Sequence, residues 1–302
     1  MTRGSPMTTL LASLGRPVSH GRADFHMHST WSDGQYSYGE LVDLCARAGL
    51  TAMAITDHDT LGAFEEWAPA ARFRKMTPIC GVEITAEIHQ KEIHILAYWL
   101  EPIPSALFDR LEAYRNSRRE RFLSILEKLK SRGLAGLEKY LDSDLGNPWS
   151  RAGVALGRRH VAEILIAEKH ATSLRQAFDR YLNDPSVVGI PRERIPAQEA
   201  IGLVRDSGGI TSWAHPPENR VGEWLPQLVQ MGISGLEAEY PDFKNSWKKT
   251  LRKMASYHGL FITGGSDCHG PGNRWPGSTN IGGEELESLL EALKKRNVPC
   301  TL

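Results

Sequence analysis

The stretch Thr51-Ala52-Met53-Ala54-Ile55-Thr56-Asp57-His58-Asp59 sets an apolar run of strand length directly against three ionisable residues. The run reads as a buried strand. Charge at its carboxyl end would be costly inside a core, but strand ends are where α/β folds build their sites. Just upstream, residues 38–48 place Leu41, Leu44, Cys45 and Ala48 on one face of a helix that Gly49 stops. Working outward, short apolar segments ending in polar residues recur at 23–27, 79–83, 93–98, 210–214, 235–239 and 260–263. They alternate with segments of helical period, the pattern of a β/α fold with a mainly parallel sheet. Between 102 and 190 the alternation stops. Leu107, Leu111, Tyr114, Phe122, Ile125, Leu126 and Leu129 recur there at helical spacing before Gly133, which predicts an inserted helical subdomain.

The chain has 302 residues, 41% of them apolar and 24% charged, so it is long enough for one large or two medium domains. Its 36 Lys and Arg balance 36 Asp and Glu. The bulk charge therefore offers no capture of long duplex nucleic acid or of an anionic membrane, and any polyanion must be held by a local site. No apolar run approaches the roughly 20 residues of a membrane span. Residues 1–21, with Arg3, Arg16 and Arg22 close by and a short, broken apolar stretch, read as a loose tail and not as a signal peptide. Cys45, Cys80, Cys268 and Cys300 are far apart and form no CxxC pair, which favours a reduced, cytoplasmic setting.

The chemistry lies at the strand ends. In Asp24-Phe25-His26-Met27-His28 the two histidines stand at i and i+2, on one face of a strand, where both can reach one metal. Asp33 follows five residues later, then His58, Glu83 at the end of the next strand, His94, His215 in Trp213-Ala214-His215-Pro216, and Asp267 and His269 in Gly265-Ser266-Asp267-Cys268-His269. Each alone has an ordinary explanation as a satisfied polar residue. Six histidines and three carboxylates at the ends of separate strands form a constellation with too many ligands for one tetrahedral zinc. Two or three divalent ions are the natural count, and imidazole with carboxylate suits manganese, zinc or iron. Asp57 and Asp59, flanking His58, are candidates either to orient imidazoles or to hydrogen-bond loop backbone, and Asp24 reads in the same way. Arg115, Arg118, Arg119 and Arg121 read as a solvated helix face.

These strings, with Ser32-Asp33-Gly34, Gly81-Val82-Glu83-Ile84 and His94-Ile95-Leu96, resemble in order the motifs of the polymerase and histidinol phosphatase (PHP) family of metal-dependent phosphoesterases. The resemblance covers most of residues 23–270. It implies a distorted seven-stranded β/α barrel, formed by 22–101 and 191–302, with 102–190 as the inserted helical subdomain. It also implies a trinuclear site at the strand ends. By motif, the first metal takes His26, His28, Glu83 and Asp267. The second shares Glu83 and adds His94 and His215, and the third takes Asp33, His58 and His269. Some members of the family carry histidine where this chain has Asp33, a change that keeps a ligand.

Gly157-Arg158-Arg159-His160 in the inserted region resembles the Gly-Arg-x-His string of one branch of that family, which includes nucleoside 3′,5′-bisphosphate phosphatases and enzymes that trim RNA from the 5′ end. The likeness assigns Arg158 and His160 to substrate phosphate, Arg through its planar fork. The expected enzyme is then a phosphoesterase in which a hydroxide held between the metals, bridged by Glu83 and bound by Asp267, attacks the phosphorus of a small phosphorylated nucleotide or of a short 5′-phosphorylated RNA. Histidinol-phosphate phosphatase is the alternative that keeps the metals. A non-catalytic metal- or nucleotide-binding module is the alternative that drops the chemistry.

Overall fold

The computed structural model describes residues 21–62, 64–100, 105–141, 153–189 and 194–296. The tail expected over 1–21, Cys300 and the joints near 102 and 190 lie wholly or largely outside them. The chain begins with β1 (Arg22–Asp24), α1 (Tyr38–Arg47), β2 (Ala52–Met53), α2 (Phe64–Phe73) and β3 (Thr77–Pro78). A capping box starts α1: the Ser37 hydroxyl accepts from the Glu40 N–H while the Glu40 carboxylate accepts from the Ser37 N–H. The helix buries Leu41, Val42 and Cys45, so Val42 takes the place expected of Leu44 and Ala48 on the packed face.

The hairpin β4 (Cys80–Ile88) and β5 (Lys91–Trp99) follows. Next come α3 (Ser105–Ser131), α4 (Arg158–Ala167), α5 (Leu174–Ala177), a π-helical turn at Phe178–Leu182 and α6 (Pro185–Val188). The chain continues through β6 (Ile195–Pro196), α7 (Ala197–Asp206), β7 (Ile210–Trp213), α8 (Val221–Met231), β8 (Gly235–Glu239), α9 (Asn245–His258), β9 (Phe261–Gly264), β10 (Ile281–Gly282) and α10 (Gly283–Arg296).

The fold is α/β, but a closed seven-stranded barrel is not what the described residues form. They make two open sheets, β10-β1-β2-β3 and β6-β4-β5-β7-β8-β9. The larger sheet is mainly parallel, as expected, except that β5 runs antiparallel to both β4 and β7. Between β4 and β5 lies a two-residue turn, His89-Gln90, with φ of 50° and 59°. Such turns need positive φ at both positions and are ordinarily marked by Asn-Gly, so His-Gln conceals the hairpin from a sequence reading. Single bridges join the two sheets, His58, beyond β2, to Glu83 within β4, and Met27 to Cys268 just past β1 and β9. There the backbones lie so close that a Cβ on Gly265 would stand 2.4 Å from the His26 nitrogen.

The main core lies between the larger sheet and α7 to α10, and includes Trp213, Leu225, Leu251 and Leu289. Met27, Trp31, Trp67 and Cys268 pack with α1 and α2. Helix α3, 27 residues and so about 40 Å long, is divided between two cores. Leu107, Leu111 and Tyr114 join the main one, whereas Phe122, Ile125, Leu126 and Leu129 pack with Val161, Leu165 and Leu182 in a separate helical core. No described helix is long and apolar enough to cross a membrane.

Tyr98 joins the two sheets beside the site: its hydroxyl, fully buried, donates to the carbonyl of Phe25 at 2.8 Å. Tyr98→Phe leaves that carbonyl without the hydroxyl's hydrogen bond and is expected to cost about 1 to 3 kcal/mol, read as a lower urea midpoint with an unchanged slope.

Candidate metal centre

Glu83, buried in β4, stands at the middle. Its Oε1 lies 2.8 Å from His94 Nδ1 and 3.1 Å from His215 Nε2. Its Oε2 lies 3.3 Å from His26 Nε2, 3.1 Å from His28 Nε2 and 3.3 Å from His58 Nδ1. His26 and His28 also converge on Asp267 Oδ1, at 3.5 and 3.4 Å. On the other side of His28, Asp33 Oδ1 is 3.2 Å from His269 Nε2 and 3.9 Å from His58 Nε2. The nine residues singled out in the sequence are therefore brought to one place.

The ligand atoms fall into four overlapping sets whose members all lie within 4.8 Å of one another: His28, Asp33, His58 and His269; His26, His28 and Asp267; His26, Glu83 and His215; and His58, Glu83 and His94. His26, His28, His58 and Glu83 each belong to two sets, so the subsites are contiguous. Divalent cations fit these atoms. His26 Nε2, His28 Nε2, Asp33 Oδ1, His58 Nδ1 and His94 Nδ1 are buried and make no hydrogen bond, since their contacts with neighbouring oxygens and nitrogens lack hydrogen-bond geometry. Buried polar atoms are rarely left so, and five aimed into one space call for a cation.

Electrostatics favour the same occupant. Burial would raise the carboxyls of Glu83 and Asp33, but surrounding imidazoles hold both well below the usual range. Burial pushes His58 down to about 3, which keeps it a neutral ligand. His28 and His94 go the other way, to about 10, because the attraction of Asp267 and Glu83 for the first and of Glu83 for the second outweighs burial. A divalent ion satisfies these carboxylates in place of protons on the rings.

Three groups outside the expected set, Glu237, Tyr240 and Arg274, hold the ligands together with the expected Asp57. Glu237, fully buried in β8, takes His26 Nδ1 at 2.9 Å on one oxygen and the backbone N–H of His215 at 2.7 Å on the other. It thereby turns the His26 Nε2 lone pair toward the site. A carboxylate in the middle of a buried strand was the available signal. Tyr240 and Arg274 both donate to Asp267 Oδ2, at 2.7 and 2.5 Å, leaving Oδ1 for the histidines. Asp57 accepts from the Ser29 N–H and from the hydroxyls of Ser29 and Ser32, which shapes the loop before Asp33. Asp59, His215 and Asp267 have positive φ, at 50°, 28° and 49°, the kind of local strain that surrounding contacts must maintain.

Two expectations are corrected. Arg118 is not on a solvated face: it is buried and donates to Asp59 and Thr85, both at 2.6 Å. His160 does not offer a free donor to phosphate. Its Nδ1 accepts from the Gly157 N–H at 3.0 Å, so the proton is on Nε2, which donates to the Ser32 carbonyl at 2.7 Å. Arg158, two positions earlier, does border the open space above the histidines, with its guanidinium 5.7 Å from the centre of the Phe178 ring.

The family model of the PHP domain matches residues 24–183, just over half of the chain. The chain belongs to the PHP domain family. It is 27% identical over 267 residues to a 3′,5′-nucleoside bisphosphate phosphatase of Chromobacterium violaceum, covering 87% of this chain and 91% of that one. A phosphoribosyl 1,2-cyclic phosphate 1,2-diphosphodiesterase of Eggerthella lenta is 27% identical over 256 residues (84% and 96%), and a 5′-3′ exoribonuclease of Haemophilus influenzae is 28% identical over 257 (82% and 90%). Among solved structures, a metal-dependent phosphoesterase from Bifidobacterium adolescentis superposes with a TM-score of 0.77 at 27% identity, over 92% of this chain and 97% of that one. This PHP chain is a metal-dependent phosphoesterase, a hydrolase acting on phosphate esters.

Glu237→Gln removes the charge that orients His26 while keeping an acceptor for the His215 N–H. It is expected to weaken metal binding about 10- to 100-fold without changing the circular dichroism spectrum, as read by titration of metal-free protein with Mn²⁺.

Proposed function

We propose that this PHP phosphoesterase hydrolyses phosphate esters of small nucleotides that carry a second phosphate, such as 3′,5′-bisphosphates, or acts at the 5′ ends of short RNA. The observation that carries the reading is a cavity of about 560 Å³ over Asp33, His58 and His94 whose opposite wall includes Arg121 and Arg158, with Arg194 beside them paired with Glu87 at 2.8 Å. Among the described residues no carboxylate lies within ion-pair distance of Arg158. Arg121 Nε makes no hydrogen bond, and burial, then the nearby Arg158 charge, lowers its guanidinium pKa. Clustered, partly unpaired guanidiniums favour a multiply charged anion. Phe122, Phe178 and Val188 add an apolar side suited to a nucleoside.

In this reading two or three divalent ions, manganese, zinc or iron, are held by His26, His28, Glu83 and Asp267, by Glu83, His94 and His215, and by Asp33, His58 and His269. Bound there, such ions lower the pKa of water to about 7 and offset the charge of the reacting phosphoryl group. Glu83 presents one oxygen to each of the first two subsites and sets their separation. Tyr240 and Arg274 fix the oxygen that Asp267 presents. Arg158, assisted by Arg121, holds the phosphate that is not cleaved and so places the scissile ester over the histidines. The cytoplasm is the proposed compartment.

Manganese-loaded protein given 3′,5′-bisphosphates, 5′-phosphorylated short RNA, histidinol phosphate and simple monoesters should turn over the first two fastest. Preference for histidinol phosphate would overturn the substrate assignment. Glu83→Ala should abolish hydrolysis and weaken two metals together.

Arg158→Ala should lose on the order of 2 to 5 kcal/mol in kcat/KM for doubly phosphorylated substrates and little for a monoester. An equal loss on both would place Arg158 on the reacting phosphate.

A further inference from the structure

The helical region grips the catalytic body through two loop segments. Arg118 Nε donates to Asp59 Oδ2 at 2.6 Å, and Arg115 donates to the Asp59 carbonyl at 3.1 Å. The Thr60 hydroxyl donates to the Gly153 carbonyl at 2.9 Å. On the other segment, the Ala155 N–H donates to the Trp31 carbonyl at 2.9 Å and His160 Nε2 to the Ser32 carbonyl at 2.7 Å. The first segment carries His58 and the second carries Asp33, two of the three groups assigned above to the third metal. Arg118 extends the grip to Thr85 and to the Leu156 carbonyl, so one guanidinium links α3, β4 and the segment that leads into α4.

Neither segment would hold this form unaided. Asp59 sits at a φ of 50°, a strained value for a residue with a side chain. In the other loop, a Cβ on Gly34 would stand 2.2 Å from the His28 carbonyl oxygen, so the turn carrying Asp33 is folded tightly against the His28 backbone. His160 and Arg118 are both buried, and the desolvated, charge-assisted bond from Arg118 to Asp59 sets geometry closely.

We infer that the helical region, besides forming the wall of the cavity, determines the occupancy of the third metal subsite, with His160 as positioning residue for Asp33 and Arg118 for His58. The inference rests on the three-metal reading above. Because Arg158 lies on the same first turn as His160, an anion held in the cavity and an ion in the third subsite stabilise one arrangement of α4, and by linkage each strengthens the other's binding.

The test is a titration of the full metal-free chain with Mn²⁺, counting bound metal by elemental analysis after dialysis. His160→Phe, which fills the space but makes neither hydrogen bond, should weaken the last equivalent at least about tenfold and leave the tighter ones within about threefold. His160→Gln, which can donate to the Ser32 carbonyl, should restore it. Should His160→Phe not fold, Arg118→Lys, which keeps a cation beside Asp59 but loses the fork, carries the same expectation. Variants that bind every equivalent as the wild type does, or lose all of them alike, would overturn the inference while leaving the metal assignment intact. A wild-type chain taking up only two ions would instead overturn the three-metal reading and the inference with it.

Discussion

A single buried carboxylate, Glu83, surrounded by five imidazoles, is the constraint around which the fold is arranged. A desolvated charge with that many donors at contact distance is tenable only if cations or protons are shared among them. The backbone is routed to meet it. The Thr56 carbonyl and the Asp59 N–H bracket Glu83 through the His58 bridge. The β4–β5 register sets Thr85 opposite His94, and the Ala214 N–H on the His94 carbonyl brings His215 to the same oxygen. The sharp turns at His215 and Asp267 follow from this demand, since their side chains must point back across the strand ends.

A second layer makes the first one specific. Glu237 fixes the tautomer of His26, and Tyr240 with Arg274 takes up the oxygen of Asp267 that does not face the histidines. Asp24 serves the backbone, accepting from the N–H groups of His26, Ser266 and Gly277, and its burial raises its pKa to about 6. These carboxylates hold ligands in place without being ligands, which is why a site of this size needs more acidic residues than metals alone require.

The helical region supplies what the two-sheet body lacks. The body presents carboxylates and imidazoles, while the helices add guanidinium and aromatic surface, so the neutral chain has a local cationic wall opposite its metal centre. Helix α3 joins the two parts because its first half belongs to the main core and its second half to the helical core.

The identity of the nine convergent residues was legible in the sequence because polar residues at the ends of apolar strands are costly unless they share a purpose, and their order along the chain carries the family likeness. The α/β class and the helical stretch after 102 were legible for a similar reason, as period and composition are local properties. The reversal of β5 within a mainly parallel sheet was not. The His89-Gln90 turn carries none of the usual marks of a tight hairpin, and open sheets joined by single bridges leave no periodic trace. His160 and Arg118 show the same limit. A short string places them near phosphate or in solvent, but the hydrogen-bond partners that decide their roles, Ser32 and Asp59, lie 128 and 59 residues away along the chain. Such pairings exist only after folding, when burial leaves each donor few acceptors to choose from.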